Sequence, residues 1–383
     1  MKIALVSPYD WCVDGGVKSH IAHLAAHFRE WGHDVTIFAP ASDEEKVAGQ
    51  VTVMGRPRSM RVSGSVARIT FAWKSPDVKE ALADGKFDVV HIHEPLMPLL
   101  PYHFLRYSTS ATVGTFHAAK DGGNRFYGYT TRLTRRWFRK LDGKIAVSPA
   151  AVSLVSRYFP GYYNIIPNGI DYEHFRQERE PLPEFMDGRL NILFVGRPEK
   201  RKGLKYLLRA YIRIKEIEPN TRLIVVGAGD FSRYERLMEP IGDVVFREYV
   251  PYEELPRYHS SAHVFCAPNT GNESQGYVLL EAMAAGMPVV ASNIEGFAGV
   301  ITNELDGVLV KPKDSDALAA AIVRLLRDPV RRAEIAKRGQ AQAAHYSWDN
   351  IARRVLSYYE RLLYEHEQVA AASAARRLPA VAQ

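Results

Sequence analysis

Residues 269–290 read NTGNESQGYVLLEAMAAGMPVV, and this run restricts the fold more than any other stretch of the chain. Ahead of it, the apolar residues Val264, Phe265, Cys266 and Ala267 stop at Pro268, the pattern of a buried strand. A polar, glycine-bearing loop then delivers Glu273. Gly276 opens a helix whose first turns carry Tyr277, Val278 and Glu281, and Gly286-Met287-Pro288 closes it before the next apolar run. Strand, loop, helix and strand make a βαβ unit, whose ligands sit at the carboxyl ends of the strands. The unpaired N–H groups of the helix start favour oxyanions, and the two carboxylates suit hydroxyl groups. A polyol attached to a phosphate meets both requirements. An acid near a helix start also serves as a plain capping charge, so each glutamate alone leaves that reading open.

The same alternation begins the chain. Lys2–Ser7 and Asp34–Ala39 read as strands, and Leu24 and Phe28 give residues 17–31 a helical inward face. Gly15-Gly16 stands at the start of that helix. Paired glycines let main-chain N–H groups approach a phosphate unobstructed, or simply make a tight turn. No GxGxxG pattern is present, which weakens a dinucleotide reading.

A chain of 383 residues holds two or three domains. Its net charge of +7 suits anionic ligands or anionic lipid. No zinc pattern, RNA-binding signature or basic heptad repeat points to nucleic acid. Cys12 and Cys266 lie among apolar residues and read as free thiols of a reducing compartment. The apolar run from Ile3 to Val6 is only strand length, and no run approaches the roughly 20 residues that span a bilayer. The expected location is cytoplasmic, free or on the membrane surface.

Glu273, seven intervening residues, Glu281 and the following Ala282-Met283-Ala284-Ala285-Gly286 resemble the acidic signature of the family 4 retaining glycosyltransferases. The resemblance covers nearly the whole chain and is nearest to the bacterial phosphatidylinositol α-mannosyltransferases. It implies an α/β chain of the GT-B class: two Rossmann-like, doubly wound domains with an interdomain cleft, and a nucleotide-sugar donor. It also implies that Gly16 touches the donor diphosphate, and that Tyr277, Val278 and Glu281 belong to the donor site.

Gly64-Ser65-Val66-Ala67-Arg68 also occurs in those mannosyltransferases, where the arginine is implied to hold an acceptor phosphate. A guanidinium suits that task, because its planar fork bonds phosphate oxygens in pairs. They carry Tyr-Asn ahead of the run, where this chain has Val62-Ser63, and Gln where it has Lys18. Lys18, Ser63 and Arg68 are therefore the expected acceptor contacts, with a lipid phosphate supported and inositol as head group open.

Phe87–His91 reads as a buried strand ending in His91-Ile92-His93-Glu94-Pro95. Alternation points both imidazoles to one face, and no third ligand of matching spacing follows, so no metal site is expected. Ala111–Phe116 is the next strand and delivers His117. Thr115-Phe116-His117 matches a family motif, which implies that His117 faces the transferred sugar. A lone histidine is otherwise more often structural.

Arg132, Arg135, Arg136, Arg139 and Lys140 share one face of a helix spanning residues 126–141, with Tyr129, Leu133, Trp137 and Leu141 opposite. Basic residues interleaved with aromatics mark an interfacial helix, and each contributes about 1 kcal/mol near an anionic leaflet. The competing reading packs the apolar side on the core and leaves the arginines solvated.

A polar, proline-rich stretch from Arg176 to Arg189 reads as a linker, after which Asn191–Val195 restarts the alternation. Gly196-Arg197 and Lys202-Gly203 follow that strand. An Arg and a Lys flanking a helix start make a diphosphate clamp and match the family's donor-phosphate motif. The resemblance puts the base near Val250. Tyr252 and Leu255 stand where the mannosyltransferases carry the Asp and Lys that suit guanine. Asp314-Ser315-Asp316 reads as a helix cap rather than a metal motif.

The expected organisation is an acceptor-side domain at 1–178, a donor domain at 179–345, a returning helix at 346–366 and a disordered tail at 367–383. The expected activity is transfer of a hexose, mannose from GDP-mannose, to a membrane lipid such as phosphatidylinositol, at the inner face of the plasma membrane. His117 and Glu273 are the expected catalytic residues, and neither a tightly bound cofactor nor a metal is expected. A UDP-sugar enzyme acting on a diacylglycerol-type lipid or a soluble sugar is the alternative. A non-catalytic module binding nucleotide-sugar or polyanion is the rival of another class.

Overall fold

The computed structural model describes residues 1–62, 65–70, 75–120 and 122–377. The chain forms two compact units. One comprises Met1–Ala118, Gly122–Pro167 and the chain from Trp348, and the other comprises Asn168–Ser347 with Ala119–Asp121.

The first unit is built on strands β1 (Lys2–Val6), β2 (Asp34–Ala39), β3 (Thr52–Val53), β4 (Pro57–Val62), β5 (Ser65–Thr70), β6 (Val89–His93), β7 (Ala111–Phe116), β8 (Gly143–Ala146) and β9 (Asn164–Ile165). Seven of them form a sheet in the order β3-β2-β1-β6-β7-β8-β9, and β4 and β5 pair as an antiparallel hairpin. All neighbours in the larger sheet are parallel, and its central strands are buried on both faces, which is why they read as mostly apolar runs, His91 and His93 of β6 being exceptions. The helix Gly16–Glu30 covers the sheet with Ile21, Leu24, Ala25 and Phe28.

The second unit contains β10 (Leu190–Val195), β11 (Thr221–Val226), β12 (Val244–Arg247), β13 (Val264–Ala267), β14 (Val289–Ser292) and β15 (Val308–Val310). Their order, β12-β11-β10-β13-β14-β15, is the doubly wound arrangement whose direction of winding reverses between β10 and β13. Loops leaving the carboxyl ends of those two strands flank a natural ligand crevice, and they carry Arg197–Lys202 and Glu273.

Three boundaries differ from the sequence expectation. The units part at 167/168, because Ile170 and Phe175 are buried in the second unit's core. Within the stretch expected as a linker, Phe185 packs there too, only 3% exposed, while most residues on either side of it are exposed. The last helix runs from Trp348 to Arg377, so residues 367–377 are helical where disorder was expected. It belongs to the first unit, where Trp348 stacks on His23 at 4.6 Å and Tyr359 meets Phe28 at 5.8 Å.

Asp314 caps the helix Ser315–Arg327 by accepting the Ala317 N–H at 3.0 Å, as the capping reading requires. Cys12 and Cys266 are both free thiols. Among the described residues no helix is long and apolar enough to cross a membrane.

Candidate functional site

In the second unit, the loop after β13 brings Glu273 against the loop after β10. Its Oε2 accepts from Lys202 Nζ at 2.8 Å, Arg201 Nη1 at 2.8 Å and Asn269 Nδ2 at 2.9 Å. Burial pushes the Glu273 carboxyl up, but Lys202 and Arg201 outweigh it and hold the group below its usual range. The carboxylate is therefore ionised and fixed in direction.

The two loops are also bound through their main chains. Thr270 N–H donates to the Arg201 carbonyl at 2.8 Å. Gly203 sits at the head of the helix Leu204–Ile217 with φ +74°, and a Cβ there would stand 1.9 Å from the Pro268 carbonyl oxygen. Only glycine permits both that backbone and that approach. On the other side, a Cβ on Gly296 would lie 2.1 Å from the Glu273 carbonyl oxygen. The Gln275 side chain pairs with the main chain of Asn168, accepting its N–H at 2.8 Å and donating to its carbonyl at 3.0 Å. The acidic loop is thus tied to the loop after β10, to Gly296 and to Asn168, while Asn272 stays exposed.

Glu281 follows in the helix Tyr277–Ala284. Burial pushes its carboxyl up to about 7, against the downward pull of Lys202. Lys202 thus serves both acids, one strongly ionised and one poised near neutrality. The charge of Glu281 also adds to burial in raising the Tyr277 hydroxyl. Val278 is half-buried at the start of the same helix. Val250 is half-buried against the core, and Tyr252 stacks on His174 at 4.8 Å, 11° from parallel.

Arg197 is not brought into this cluster. Its side chain is 62% exposed and pairs with Glu199 at 2.9 Å, and Glu199 in turn holds Arg201. Of the expected Arg–Lys clamp, the structure joins only Lys202 to Glu273. Arg201, which the sequence reading passed over, takes the place beside it. The run Lys200-Arg201-Lys202 was the available signal, but only the fold tells which of three cations turns inward.

In the first unit, Gly16 begins its helix behind the extended Gly15, and Lys18 pairs with the exposed Asp14 at 2.9 Å. Ser63 and the side chain of Arg68, both expected at the acceptor, lie outside the described residues. His117 follows β7 and its Nε2 meets His93 Nδ1 at 2.9 Å. His20 packs edge-on against both rings, at 5.0 Å from His117 and 5.3 Å from His93.

Sequence spacing offered no third ligand for the His91–His93 pair, and the structure brings His20 and His117 to His93. Its company comes from other elements, which strand spacing cannot reveal. His20, His93 and His117 offer ring nitrogens all within 4.8 Å, the one such group among the described residues. His93 Nδ1 and His117 Nε2 are already within hydrogen-bonding distance of each other. His91 turns to Tyr359 and to Thr115 instead, the latter at 2.6 Å.

The basic helix is Arg125–Phe138, capped by the Asn124 side chain. Its buried residues are Tyr127 and Phe138, while Tyr129 and Leu133 are 79% and 78% exposed. The apolar side expected opposite the arginines thus faces solvent in part, and the core is reached by other positions. Arg132, Arg135, Arg136 and Arg139 are exposed. Trp137 is half-buried beneath the Arg136 guanidinium, 4.5 Å from the ring centre. Lys140 is diverted from the basic face and donates to the carbonyls of Arg106 and Ser108 at 2.7 and 3.1 Å.

Residues 176–342 match the family described as "Glycosyl transferases group 1", and residues 14–174 match "Glycosyltransferase Family 4". The chain is 35% identical to a phosphatidyl-myo-inositol mannosyltransferase of Mycolicibacterium smegmatis, over 98% of each protein. It is 36% identical to that of Mycobacterium leprae, over 97% of this chain and all of the other. Among solved structures, Anabaena HepE in complex with UDP superposes with a TM-score of 0.74 at 18% identity, covering 94% of this chain and 100% of that one. Sucrose-phosphate synthase from Thermosynechococcus elongatus gives 0.72 at 23%, covering 95% and 99%. Two doubly wound parallel sheets of the GT-B type, the acidic loop and near-full-length relatives lead to one conclusion: the chain is a glycosyltransferase belonging to family 4.

Proposed function

We propose that this glycosyltransferase moves mannose from GDP-mannose to a phosphatidylinositol-type lipid at an anionic membrane surface. The observation that carries the reading is the convergence of Lys202 and Arg201 on Glu273, close to Glu281, in a chain whose full-length relatives are named phosphatidyl-myo-inositol mannosyltransferases.

The donor diphosphate lies on the second unit, at the loop and helix start after β10. The loop carries four cations, Arg197, Lys200, Arg201 and Lys202, against Glu199, Glu273 and Glu281, so an excess of positive charge remains for the phosphates. As the sugar bond breaks, negative charge builds on the departing diphosphate, and Lys202 and Arg201 are already fixed where that charge develops. Glu273 has a second duty: ionised and aimed, it accepts hydrogen bonds from sugar hydroxyls. Glu281 takes the ribose hydroxyls. The resemblance assigns Gly16 to the diphosphate and His117 to the transferred sugar. Retention proceeds by front-face attack assisted by the leaving diphosphate. No metal is required, because cationic side chains supply the charge.

Arg68, with Lys18 and Ser63, serves the acceptor phosphate. The helix Arg125–Phe138 lies on the cytoplasmic leaflet, with Tyr129 and Leu133 in the interface and the arginines at the head groups.

A UDP-sugar donor is the second reading, favoured by Tyr252 and Leu255 standing where the mannosyltransferases carry Asp and Lys. Calorimetric titration with GDP and UDP in parallel separates the two. At least tenfold tighter binding of GDP, with mannose transfer to phosphatidylinositol vesicles, is the expected result. Tighter binding of UDP, with no transfer from GDP-mannose, overturns it.

A further inference from the structure

His117 is held at two points by two consecutive residues of one strand end. β6 and β7 are parallel neighbours with His93 opposite Thr115, so the chain leaving β6 runs beside the chain leaving β7. Glu94 follows His93, and its N–H donates to the Thr115 carbonyl at 2.8 Å. Its Oε1 accepts the main-chain N–H groups of His117 and Ala118 at 2.8 and 2.9 Å, and its Oε2 accepts the Tyr127 hydroxyl at 3.2 Å. Glu94 is only 3% exposed and holds φ at +49°, a backbone state that costs an ordinary residue about 1–2 kcal/mol. A buried carboxylate in a disfavoured conformation persists where its surroundings impose it. Here the conformation aims Oε1 at the two N–H groups that begin the loop after β7.

His93 holds the other end of the same residue, through the 2.9 Å contact of its Nδ1 with His117 Nε2. Its own Nε2 is buried with no hydrogen-bond partner. Burial, reinforced by His91, His117 and His20, keeps the ring neutral. A neutral imidazole has one donor and one acceptor nitrogen, so the contact requires His117 Nε2 to take the role opposite to that of His93 Nδ1.

We infer that His93 and Glu94 are positioning residues for His117, the first fixing its ring plane and tautomer and the second its main chain. The inference rests on the reading of His117 as a residue of the transfer site. Neither side chain touches substrate. Each acts through His117 by keeping its imidazole in the one orientation that serves the sugar, and an error of 1 Å in such a group costs on the order of 100-fold in rate.

The test is a double-mutant cycle, measured as GDP release from GDP-mannose with phosphatidylinositol vesicles (UDP-glucose replaces it if the wild type prefers uridine). His93→Leu removes the hydrogen bond. His93→Asn keeps an amide about where Nδ1 stands. Glu94→Gln keeps one carbonyl oxygen for the two N–H groups, and Glu94→Leu removes both. His93→Leu and Glu94→Leu are expected to lower kcat by about 10–100-fold with the donor KM within twofold, and the Asn and Gln variants to recover most of the loss. In a His117→Ala background the same changes are expected to cost nothing further, because coupled residues are not additive. The proton–nitrogen NMR spectrum of the histidine rings is expected to show a changed His117 tautomer in His93→Leu.

Full additivity in the cycle, or His93→Leu at wild-type rate while His117→Ala is dead, overturns the positioning role. His117→Ala at wild-type rate instead sinks the reading of His117 itself. If a Leu variant does not fold, the Asn and Gln variants and the NMR signature of the wild type carry the decision.

Discussion

Lys202 Nζ lies 2.8 Å from Oε2 of Glu273, with the two side chains only 13% and 15% exposed. Arg201 and Asn269 share that oxygen, so Lys202 is one of three donors rather than a sole partner. Lys202→Met should therefore fold with a small loss of Tm but lose its charge at the diphosphate. Removal of one preorganised donor costs about 100–1,000-fold in kcat. Arg201→Met should weaken GDP binding by about tenfold, although this residue carries no expectation from sequence. Steady-state kinetics and calorimetry on the two variants check both statements, and wild-type kcat in Lys202→Met refutes the first.

Gly203 ties the donor loop to the fold. Gly203→Ala would force a Cβ into the Pro268 carbonyl oxygen and add the strain of a positive φ. The left-handed backbone alone costs about 1–2 kcal/mol, and the clash must displace either the helix start or the loop bearing Glu273. Loss of Tm together with loss of nucleotide affinity is expected. A variant with lowered Tm but native affinity would show that the loop yields without disturbing the site.

Glu281 makes stability depend on pH. Its carboxyl is raised from the usual 4.5 to about 7 by burial. Below pH 4.5 the group is protonated in both folded and unfolded chains and costs nothing. Between pH 4.5 and 7 the unfolded chain releases its proton while the folded chain retains it, so stability drains away as pH rises. Above pH 7 the loss is constant, at about 3 kcal/mol. Glu281→Gln lacks this term. Its Tm relative to wild type should rise between pH 5 and 8 in the absence of nucleotide, as thermal melts across that range would reveal. A pH-independent difference between the two proteins counts against the assignment.

The exposed pair Tyr129 and Leu133 and the surrounding arginines predict membrane attachment. Sedimentation with vesicles containing phosphatidylinositol should fall at least tenfold on Arg132→Glu with Arg135→Glu, and also on Leu133→Glu. Lys140→Glu should act instead through stability, since Lys140 is spent on the carbonyls of Arg106 and Ser108. Vesicle binding that survives the arginine reversals excludes this helix as the attachment surface.

Much of the architecture was legible because local chemistry dictates it. Doubly buried parallel strands are mostly apolar, so β1, β2, β7 and β13 announce themselves, and glycines and prolines mark where several of them stop. The acidic loop was legible for the same reason: Pro268 ends a strand, Gly276 permits the turn, and Glu273 must lie between. Family resemblance carried the chemistry beyond that point. The linker reading missed Phe185, which is drawn into a core whose strands lie far along the chain, although the proline-rich and charged residues around it stay exposed. The last helix likewise outruns its apolar pattern, ending at Arg377.

The sequence by itself determined the parallel α/β alternation, the two carboxylates and the basic loop, since these follow from composition and spacing within a few residues. Tertiary structure alone decided the partners. It chose Arg201 over Arg197 for Glu273, set His20, His93 and His117 ring against ring, and turned Tyr129 and Leu133 outward while Tyr127 went in. These pairings join residues up to 97 positions apart, such as His20 and His117. The reason is geometric: adjacency at a switch point depends on strand order, and strand order is settled only when the whole sheet is buried at once.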